Sequence, residues 1–329
     1  MKNYLTFFTK AVVSIGLIWY LLSKAEFAAV YASLQSAQPF WLLMAFITLN
    51  IGKLLTGYRW QILLEVQGIK ILLRSLIASV FVGQFFNSFL PTTIGGDAVR
   101  AYDVAKQSKE STKSIMSVFV DRLIGVFALA LLAVLALLLG YFIGEDVGFY
   151  VLPVFLVFFI CSFGITIIYN SALVEIPVRL LRFLRLSNIA DKLNETYQSL
   201  QLLKGKPRIL ILALIVSIAL QINVILFYYF IGVALDIGVS LLYFSIIVPV
   251  ALIVLLVPFS INGIGIREGI FVFLLTELDV LPKDAIALSW ISFGLGLTQG
   301  IIGGIIFALR GGNFRSSQID HSVTDKPQH

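Results

Sequence analysis

The sequence NSFLPTTIGGDAVRAY occupies residues 87 to 102 and sets Asp97 and Arg100 behind a proline and two glycines, at the end of a long apolar run. A second apolar run ends in a similar way, in the sequence PFSINGIGIREG at residues 258 to 269. Proline and glycine interrupt helices. Each stretch therefore predicts a helix that breaks and then restarts with charged residues.

The 329-residue chain is 59% hydrophobic and 13% charged, and its mean hydropathy is +0.97. This is more apolar side chain than a soluble domain can cover with polar surface. Stretches of about 20 apolar residues, the length that crosses a bilayer, recur along most of the sequence. We predict an all-α polytopic membrane protein, with a single transmembrane domain over residues 1–312 and a disordered cytoplasmic tail over residues 313–329.

Six apolar segments are predicted to cross the membrane completely. They lie at about residues 4–22, 39–58, 115–142, 149–169, 208–231 and 284–309. Two further apolar runs, at residues 71–90 and 241–257, are predicted to enter the membrane and return to the same side as re-entrant helical hairpins. The distribution of Lys and Arg leads to this assignment, because both are enriched in cytoplasmic loops.

The linker at residues 171–207 is basic and is predicted to be an amphipathic cytoplasmic segment. Lys53, Arg59 and Arg100 are also expected on the cytoplasmic side, which requires that residues 71–90 do not cross. Both termini are then cytoplasmic, in a multi-pass protein of the cell inner (plasma) membrane. Membrane orientation accounts for the net charge of +6, so no nucleic-acid partner is predicted.

The two charged stretches share the pattern P-x-[TS]-I-x-G-x-x-[VI]-R at a constant offset of 167 residues. The same offset roughly superimposes the apolar runs around them, which predicts an internal repeat at about residues 39–142 and 208–309. Because the charges direct the first hairpin inward from the cytoplasm and the second inward from outside, the repeats are expected to have inverted topology, as in many transporters.

Backbone that leaves helical geometry inside a membrane must be satisfied by protein or line a watery cavity. A restarting helix points its N-terminal amides toward the break, where they favour an anion. Arg100 and Arg267 are therefore candidates for binding a phosphate-bearing headgroup, with Asp97 and Glu268 as their counter-charges. The residues expected to shape the two hairpins are Pro91, Gly95, Gly96, Pro258, Gly263 and Gly265. Alternatively, the arginines snorkel or pair at the interface and bind no ligand.

Asp121 and Arg122 lie within a predicted span, about 10 Å along the helix axis from its start, at a depth where charge is costly. Each is expected to find a partner on another element, with the first hairpin as the candidate, and Asn87 can join this network. A role in stability and a direct role in substrate binding both stay open. Gly296, Gly300 and Gly304 are spaced as a close-packing helix face.

Several kinds of chemistry are not expected. The histidines, His321 and His329, lie in the polar tail, and Cys161 is the single cysteine. Histidine-based catalysis, metal ligation and disulfide formation are therefore not predicted. No Walker A sequence occurs. We predict no cofactor, no metal and no catalytic residue, and hence no enzymatic activity of this chain.

The segment GQFFNSFLPTTIGGDAVRAY, followed by SVFVDRLIG and later by PFSINGIGIREG, resembles the lysylphosphatidylglycerol synthase transmembrane-region family of flippase-like membrane proteins. The likeness covers roughly residues 10 to 312. In the best-understood relatives this region is fused to a soluble aminoacyl-transferring domain and moves the modified lipid across the bilayer. The resemblance implies the translocating part without the synthase chemistry.

The resemblance implies a protein that binds or translocates an anionic or phosphate-bearing lipid, of phospholipid, glycolipid or polyprenyl-phosphate type. A separate lipid-modifying enzyme is a possible partner. One alternative is a membrane enzyme or enzyme subunit that acts on a lipid-linked sugar, with Asp97 as base. Another is a scaffold for such an enzyme that transports nothing.

Overall fold

The computed structural model describes residue 35 and residues 37–89, 95–169, 205–255 and 265–310. Every regular element within these ranges is an α-helix. In chain order the helices are α1 (Pro39–Val66), α2 (Leu73–Phe89), α3 (Gly95–Ser108), α4 (Ser111–Ile143), α5 (Gly148–Tyr169), α6 (Pro207–Ala234), α7 (Leu241–Val254), α8 (Ile266–Thr276) and α9 (Pro282–Leu309). The prediction of an all-α membrane protein is confirmed for the described part of the chain.

Several predicted features fall on residues outside these ranges. They are the first span at residues 4–22, most of the linker, the tail, Pro91, Pro258 and Gly263. The single transmembrane domain and the two repeat boundaries stay predictions.

Within the described ranges, four helices are long and apolar enough to cross a membrane, namely α1, α4, α6 and α9. They match the predicted spans at 39–58, 115–142, 208–231 and 284–309. Helix α5 coincides with the predicted span at 149–169 and is 22 residues long. The total of six crossings stays a prediction.

Helix boundaries follow from proline and glycine. Pro39, Pro207 and Pro282 each begin a helix, where the fixed φ of proline suits the first turn and its missing N–H leaves no hydrogen bond unmade. Helix α4 is followed by Gly144, whose φ of 84° is left-handed and therefore favours glycine.

The end of α1 corrects one expectation. The helix continues to Val66, beyond the predicted end at residue 58, and Arg59 is only 4% exposed. Arg59 therefore lies within the helix and not after its end, while its position on the cytoplasmic side stays a prediction. A carboxylate inside the protein compensates the charge of Arg59. Arg59 can therefore be buried within α1, and the helix continues beyond it.

The helices pack in a regular order. Helix α1 contacts α2, α2 contacts α3, and α3 contacts α4; in the same way α6 contacts α7, α7 contacts α8, and α8 contacts α9. The two groups meet where α1 packs on α6, α9 packs on α2, and α4 packs on α7. Helix α5 lies outside this pattern, against α4 and α7.

Small residues let α9 lie directly on α2. A Cβ atom on Gly303 would be 2.0 Å from the carbonyl oxygen of Phe81, and one on Gly304 would be 2.9 Å from the Phe85 ring. The close-packing face was predicted for Gly300 and Gly304, and both contact α2. Gly296 was also predicted, yet a Cβ there meets nothing within 4 Å. The true contact face runs through Gly303, one turn of the helix away from Gly300.

The C-terminal end of α9 is fastened to the first pair of short helices. Arg310 Nη1 donates to Asp103 Oδ2 and to Ser79 Oγ, each at 3.2 Å, and Nη2 donates to the carbonyl oxygen of Ser75 at 2.9 Å. The Ser79 hydroxyl also donates to Asp103. These bonds hold α9 against both α2 and α3.

We expect Gly303→Ala to destabilise the protein by about 1–3 kcal/mol, the usual cost of overpacking. The new methyl group meets backbone, which cannot rotate away as a side chain can. The unfolding temperature in detergent, followed by intrinsic fluorescence, measures the effect.

Gly296→Ala is the matched control on the same helix, because the added methyl group has open space. It should leave the unfolding temperature unchanged or raise it slightly through better helix propensity. Equal unfolding temperatures for the two variants would contradict the α2–α9 contact.

Candidate functional site

A polar cavity of about 370 Å³ lies where the helices of the two groups meet. Its walls come from α1, α2, α3, α4, α6 and α8, and from the end of α7. The polar residues that line it are Lys53, Thr56, Arg59, Gln84, Asn87, Asp97, Arg100, Asp121, Arg122, Gln221, Tyr228 and Arg267. Six of the seven residues proposed as a binding site from the sequence are among them.

Glu268 is the exception among the predicted residues. It does not line the cavity; its Oε2 accepts a hydrogen bond from the backbone N–H of Gly265 at 2.6 Å. Gly265 precedes α8 with a left-handed φ of 85°, so Glu268 satisfies an N–H group at the start of that helix. This contact assigns Glu268 a capping role in the described structure.

Asp121 is the most deeply buried charge of the site, with 1% of its side chain exposed. Its Oδ1 accepts a hydrogen bond from Arg59 Nε at 2.6 Å, and its Oδ2 accepts one from Arg100 Nη2 at 3.2 Å. Arg59 Nη1 also donates to the Ser217 hydroxyl at 3.0 Å. One carboxylate therefore joins α1, α3 and α4, and Arg59 extends the connection to α6.

Asp97 forms a second bridge next to the first. Its Oδ2 accepts a hydrogen bond from Arg122 Nε at 2.6 Å, and its Oδ1 accepts one from Arg100 Nη1 at 3.3 Å. The expectation that Asp121 and Arg122 find partners on the first hairpin is confirmed, since Arg100 and Asp97 both belong to α3. Arg100 thus contacts both carboxylates.

The position of Arg100 depends on close backbone contact between α2 and α3. A Cβ on Gly96 would be 2.1 Å from the carbonyl oxygen of Gly83. The Asn87 side chain accepts a hydrogen bond from Gly96 N at 2.7 Å, as expected for a member of the polar network. Arg100 is 5% exposed, and its guanidinium carbon lies 4.3 Å from the centroid of the Trp60 ring.

Arg267 reaches the same cavity from the opposite group of helices. It lies in the first turn of α8, and its guanidinium carbon is 5.3 Å from the centroid of the Phe293 ring. Arg100 and Arg267 are separated by 167 residues in the sequence, yet both line one cavity. The two arginines that the repeated sequence pattern aligns therefore line the same cavity.

The sequence did not predict two of the polar contacts in the wall of the cavity. Lys53 Nζ donates to Gln84 Oε1 at 2.7 Å, and Gln221 Nε2 donates to the Gly125 carbonyl oxygen at 2.9 Å. Lys53 and Arg59 were expected only to lie on the cytoplasmic side. Six residues place them about 9 Å apart along the axis and about 120° apart around the helix, so helical periodicity alone did not predict that both would line one cavity.

The charge of the cavity is strongly unbalanced. Among its lining residues there are five basic side chains and two carboxylates. The described part of the chain contains no cluster of three or more His, Cys, Asp or Glu residues suited to a metal ion. An excess of guanidinium and ammonium groups around a cavity of this size favours a bound anion.

The fold and the cavity define a polytopic α-helical membrane protein with a cationic chamber between two groups of helices. The sequence profile of the lysylphosphatidylglycerol synthase TM region matches residues 7–303. The chain belongs to this family.

Two curated archaeal relatives are similar over part of the chain. The UPF0104 membrane protein of Methanothermobacter thermautotrophicus is 33% identical over 108 residues, which is 32% of each chain. The UPF0104 membrane protein of Pyrococcus horikoshii is 27% identical over 141 residues, which is 42% of this chain and 41% of the relative. The matched stretches thus span between a third and two fifths of these relatives.

We expect removal of one partner of the buried Arg59–Asp121 pair to cost about 3–5 kcal/mol, because the other charge is left buried without its main counter-charge. Arg59→Met and Asp121→Leu should each lower the unfolding temperature markedly. The double variant should lose less than the sum of the two single losses.

The exposed pair Lys113–Glu110 supplies the control, with an Nζ–Oε1 distance of 3.1 Å and side chains that are 35% and 50% exposed. Lys113→Gln should change stability by less than about 1 kcal/mol. If the stability losses of Arg59→Met and Asp121→Leu simply add in the double variant, the buried ion pair does not stabilise the fold as described. The same holds if each loss is no larger than that of Lys113→Gln.

Proposed function

We propose that this protein binds the phosphate-bearing headgroup of an anionic lipid in the cationic cavity and carries it between the two leaflets of the inner membrane. The observation that carries the proposal is the convergence of Arg100 and Arg267, from opposite halves of the sequence, on one cavity. Membership in a family named for lysylphosphatidylglycerol synthesis supports a lipid as the substrate class.

The chemistry of the cavity suits a phosphate group. Guanidinium groups offer paired N–H donors that match the oxygens of phosphate. The two carboxylates of the cavity contact Arg59, Arg100 and Arg122, which leaves an anion to balance the remaining positive charge. A volume of about 370 Å³ lies in the range of about 300–1,000 Å³ that is typical of small-molecule sites.

The proposal includes an inverted repeat that lets the cavity open to either side. Pro39 and Pro207, which begin α1 and α6, are 168 positions apart, and so are the first residues of α2 and α7. If α1 to α4 exchange places with α6 to α9, the packing pattern described above maps onto itself. These features support two equivalent halves that rock around a shared site, with both termini in the cytoplasm.

Transport is favoured over enzymatic action by the environment of Asp97. Both oxygens of this carboxylate accept hydrogen bonds from guanidinium groups. A carboxylate held in this way serves as a counter-ion and is poorly placed to take a proton from a lipid-linked sugar. We therefore propose that any covalent modification of the lipid is carried out by a separate enzyme.

The neutral variants Arg100→Gln and Arg267→Gln test the headgroup site. Each should weaken binding of a radiolabelled phosphatidylglycerol in detergent by about tenfold to a hundredfold, since a hydrogen bond to a charged group contributes about 1.5–3 kcal/mol. Translocation of the same lipid in liposomes should fall in parallel. Arg267→Lys, which keeps the charge and loses the paired donors, should give an intermediate loss.

Arg74→Gln is the matched control, because Arg74 is exposed on α2 and lies away from the cavity lining. All variants are first compared by unfolding temperature, so that loss of fold is not mistaken for loss of binding. Wild-type affinity and wild-type translocation in both Arg100→Gln and Arg267→Gln would refute the headgroup site.

Asp97→Asn separates transport from enzymatic action. We expect slower translocation with no change in the covalent structure of the lipid, measured by mass spectrometry of lipids incubated with wild type and variant. A covalent product that wild type forms in detergent, and that Asp97→Asn does not form, would favour the enzyme instead.

A further inference from the structure

A second cavity lies between α3 and α4, beside the cationic cavity, which is called the headgroup cavity below. Its volume is about 570 Å³, larger than that of the first cavity. Three alanines of α3 form one side, and an aliphatic and aromatic row of α4 forms the other. The residues that line it are Asp97, Ala98, Ala101, Tyr102, Ala105, Ser111, Ile115, Val118, Phe119 and Arg122. We refer to it as the α3–α4 groove.

The groove and the headgroup cavity share one wall. Asp97 and Arg122 line both of them, and these two side chains form an ion pair with an Nε–Oδ2 distance of 2.6 Å. Arg122 is the more open member, with 41% of its side chain exposed against 11% for Asp97. The Asp97–Arg122 pair therefore separates a cationic space from an apolar one.

Beyond this shared pair the groove contains no charged residue among its lining residues. Alanines at positions 98, 101 and 105 fall on one face of α3, and their small side chains leave the volume open. Along that face, from Asp97 to Ala105, the groove is about 12 Å long at 1.5 Å per residue. Its open side carries Tyr102, Ile115 and Phe119, which are 68%, 57% and 51% exposed.

We propose that the α3–α4 groove binds a hydrocarbon chain of the same lipid whose headgroup occupies the cationic cavity. The ligand that fits both spaces is an amphiphile with an anionic head and a flexible apolar chain, and the Asp97–Arg122 pair lies at the junction of the two parts. This inference rests on the proposed function, because it is the cationic cavity that selects a lipid headgroup over any other apolar molecule.

Filling the groove with a large side chain tests the inference. Ala98 is exposed and Ala105 is half-buried, so Ala98→Trp and Ala105→Trp block the groove with little disturbance of the core. Each should weaken binding of diacyl phosphatidylglycerol at least tenfold. Each should leave binding of water-soluble glycerol phosphate, which has the headgroup chemistry and no chain, within twofold of wild type.

Ala219→Trp is the matched control. Ala219 is exposed on α6 and lines neither the headgroup cavity nor the groove, so the same substitution there should leave binding of both probes unchanged. Unfolding temperatures of the three tryptophan variants establish that each is folded. If Ala219→Trp weakened lipid binding as strongly as Ala98→Trp, the effect would not come from the groove and the inference would fail.

The two proposals fail in different ways. If Arg267→Gln weakens binding of both probes while Ala98→Trp and Ala105→Trp have no effect on either, the groove is refuted and the headgroup site stands. If the tryptophan variants weaken glycerol phosphate and lipid equally, they act on the cavity and the groove is again refuted. If no variant affects either probe, the headgroup site fails and the groove inference falls with it.

A photoreactive benzophenone side chain at Tyr102 identifies what lies in the groove directly. In nanodiscs that contain phosphatidylglycerol, irradiation should attach the lipid to the labelled position, and Ala98→Trp in the same chain should reduce that adduct at least fivefold. An adduct between position 102 and a peptide from residues 1–34 would show that the chain itself fills the groove and would overturn the inference.

Discussion

The architecture depends on compensation of one buried carboxylate. Asp121 is almost inaccessible, and an ion in such surroundings is costly unless oppositely charged donors contact it. Arg59 and Arg100 supply those donors, and they come from two other helices, α1 and α3. Satisfying this single charge therefore fixes α1, α3 and α4 relative to one another. The cationic cavity is the space that remains around the donors once they are in place.

Short backbone distances allow these side chains to converge. The Gly83–Gly96 contact brings α3 onto α2, and the Gly303 contact brings α9 onto the other face of α2. In a membrane, helices gain little from burying apolar surface against each other, so close packing of small residues and polar contacts provide most of the association. The glycines and the charged network thus serve the same purpose, since each makes the other geometrically possible.

The sequence singled out most of the charged residues that line the cavity, but it did not predict which of them contact one another. Asp97, Arg100, Asp121, Arg122 and Arg267 were identified because charge within apolar sequence is rare and local in the chain. Arg59 was missed because a rule based on loop charges cannot distinguish a flanking cation from a buried one. That distinction depends on whether a carboxylate more than sixty residues away lies within reach. The contact of Glu268 with the N–H group of Gly265 was not predicted, since a carboxylate in the first turn of a helix can satisfy its own helix terminus as readily as a neighbouring guanidinium group.

The adjacency of a cationic cavity and an apolar groove has a physical rationale for a lipid carrier. Moving a charged headgroup through hydrocarbon is costly because the headgroup loses its hydration. Hydrogen-bond donors that the fold already holds in place can replace that hydration without a further loss of conformational freedom. The chains gain nothing from such donors and need only continuous apolar contact. A protein that binds both the headgroup and the chains must therefore keep a cationic and an apolar environment separate within a few ångströms of each other. In the proposed lipid carrier, the pair formed by Asp97 and Arg122 would suit that boundary, because it would present a neutralised surface to the chains while its guanidinium group lines the cationic cavity.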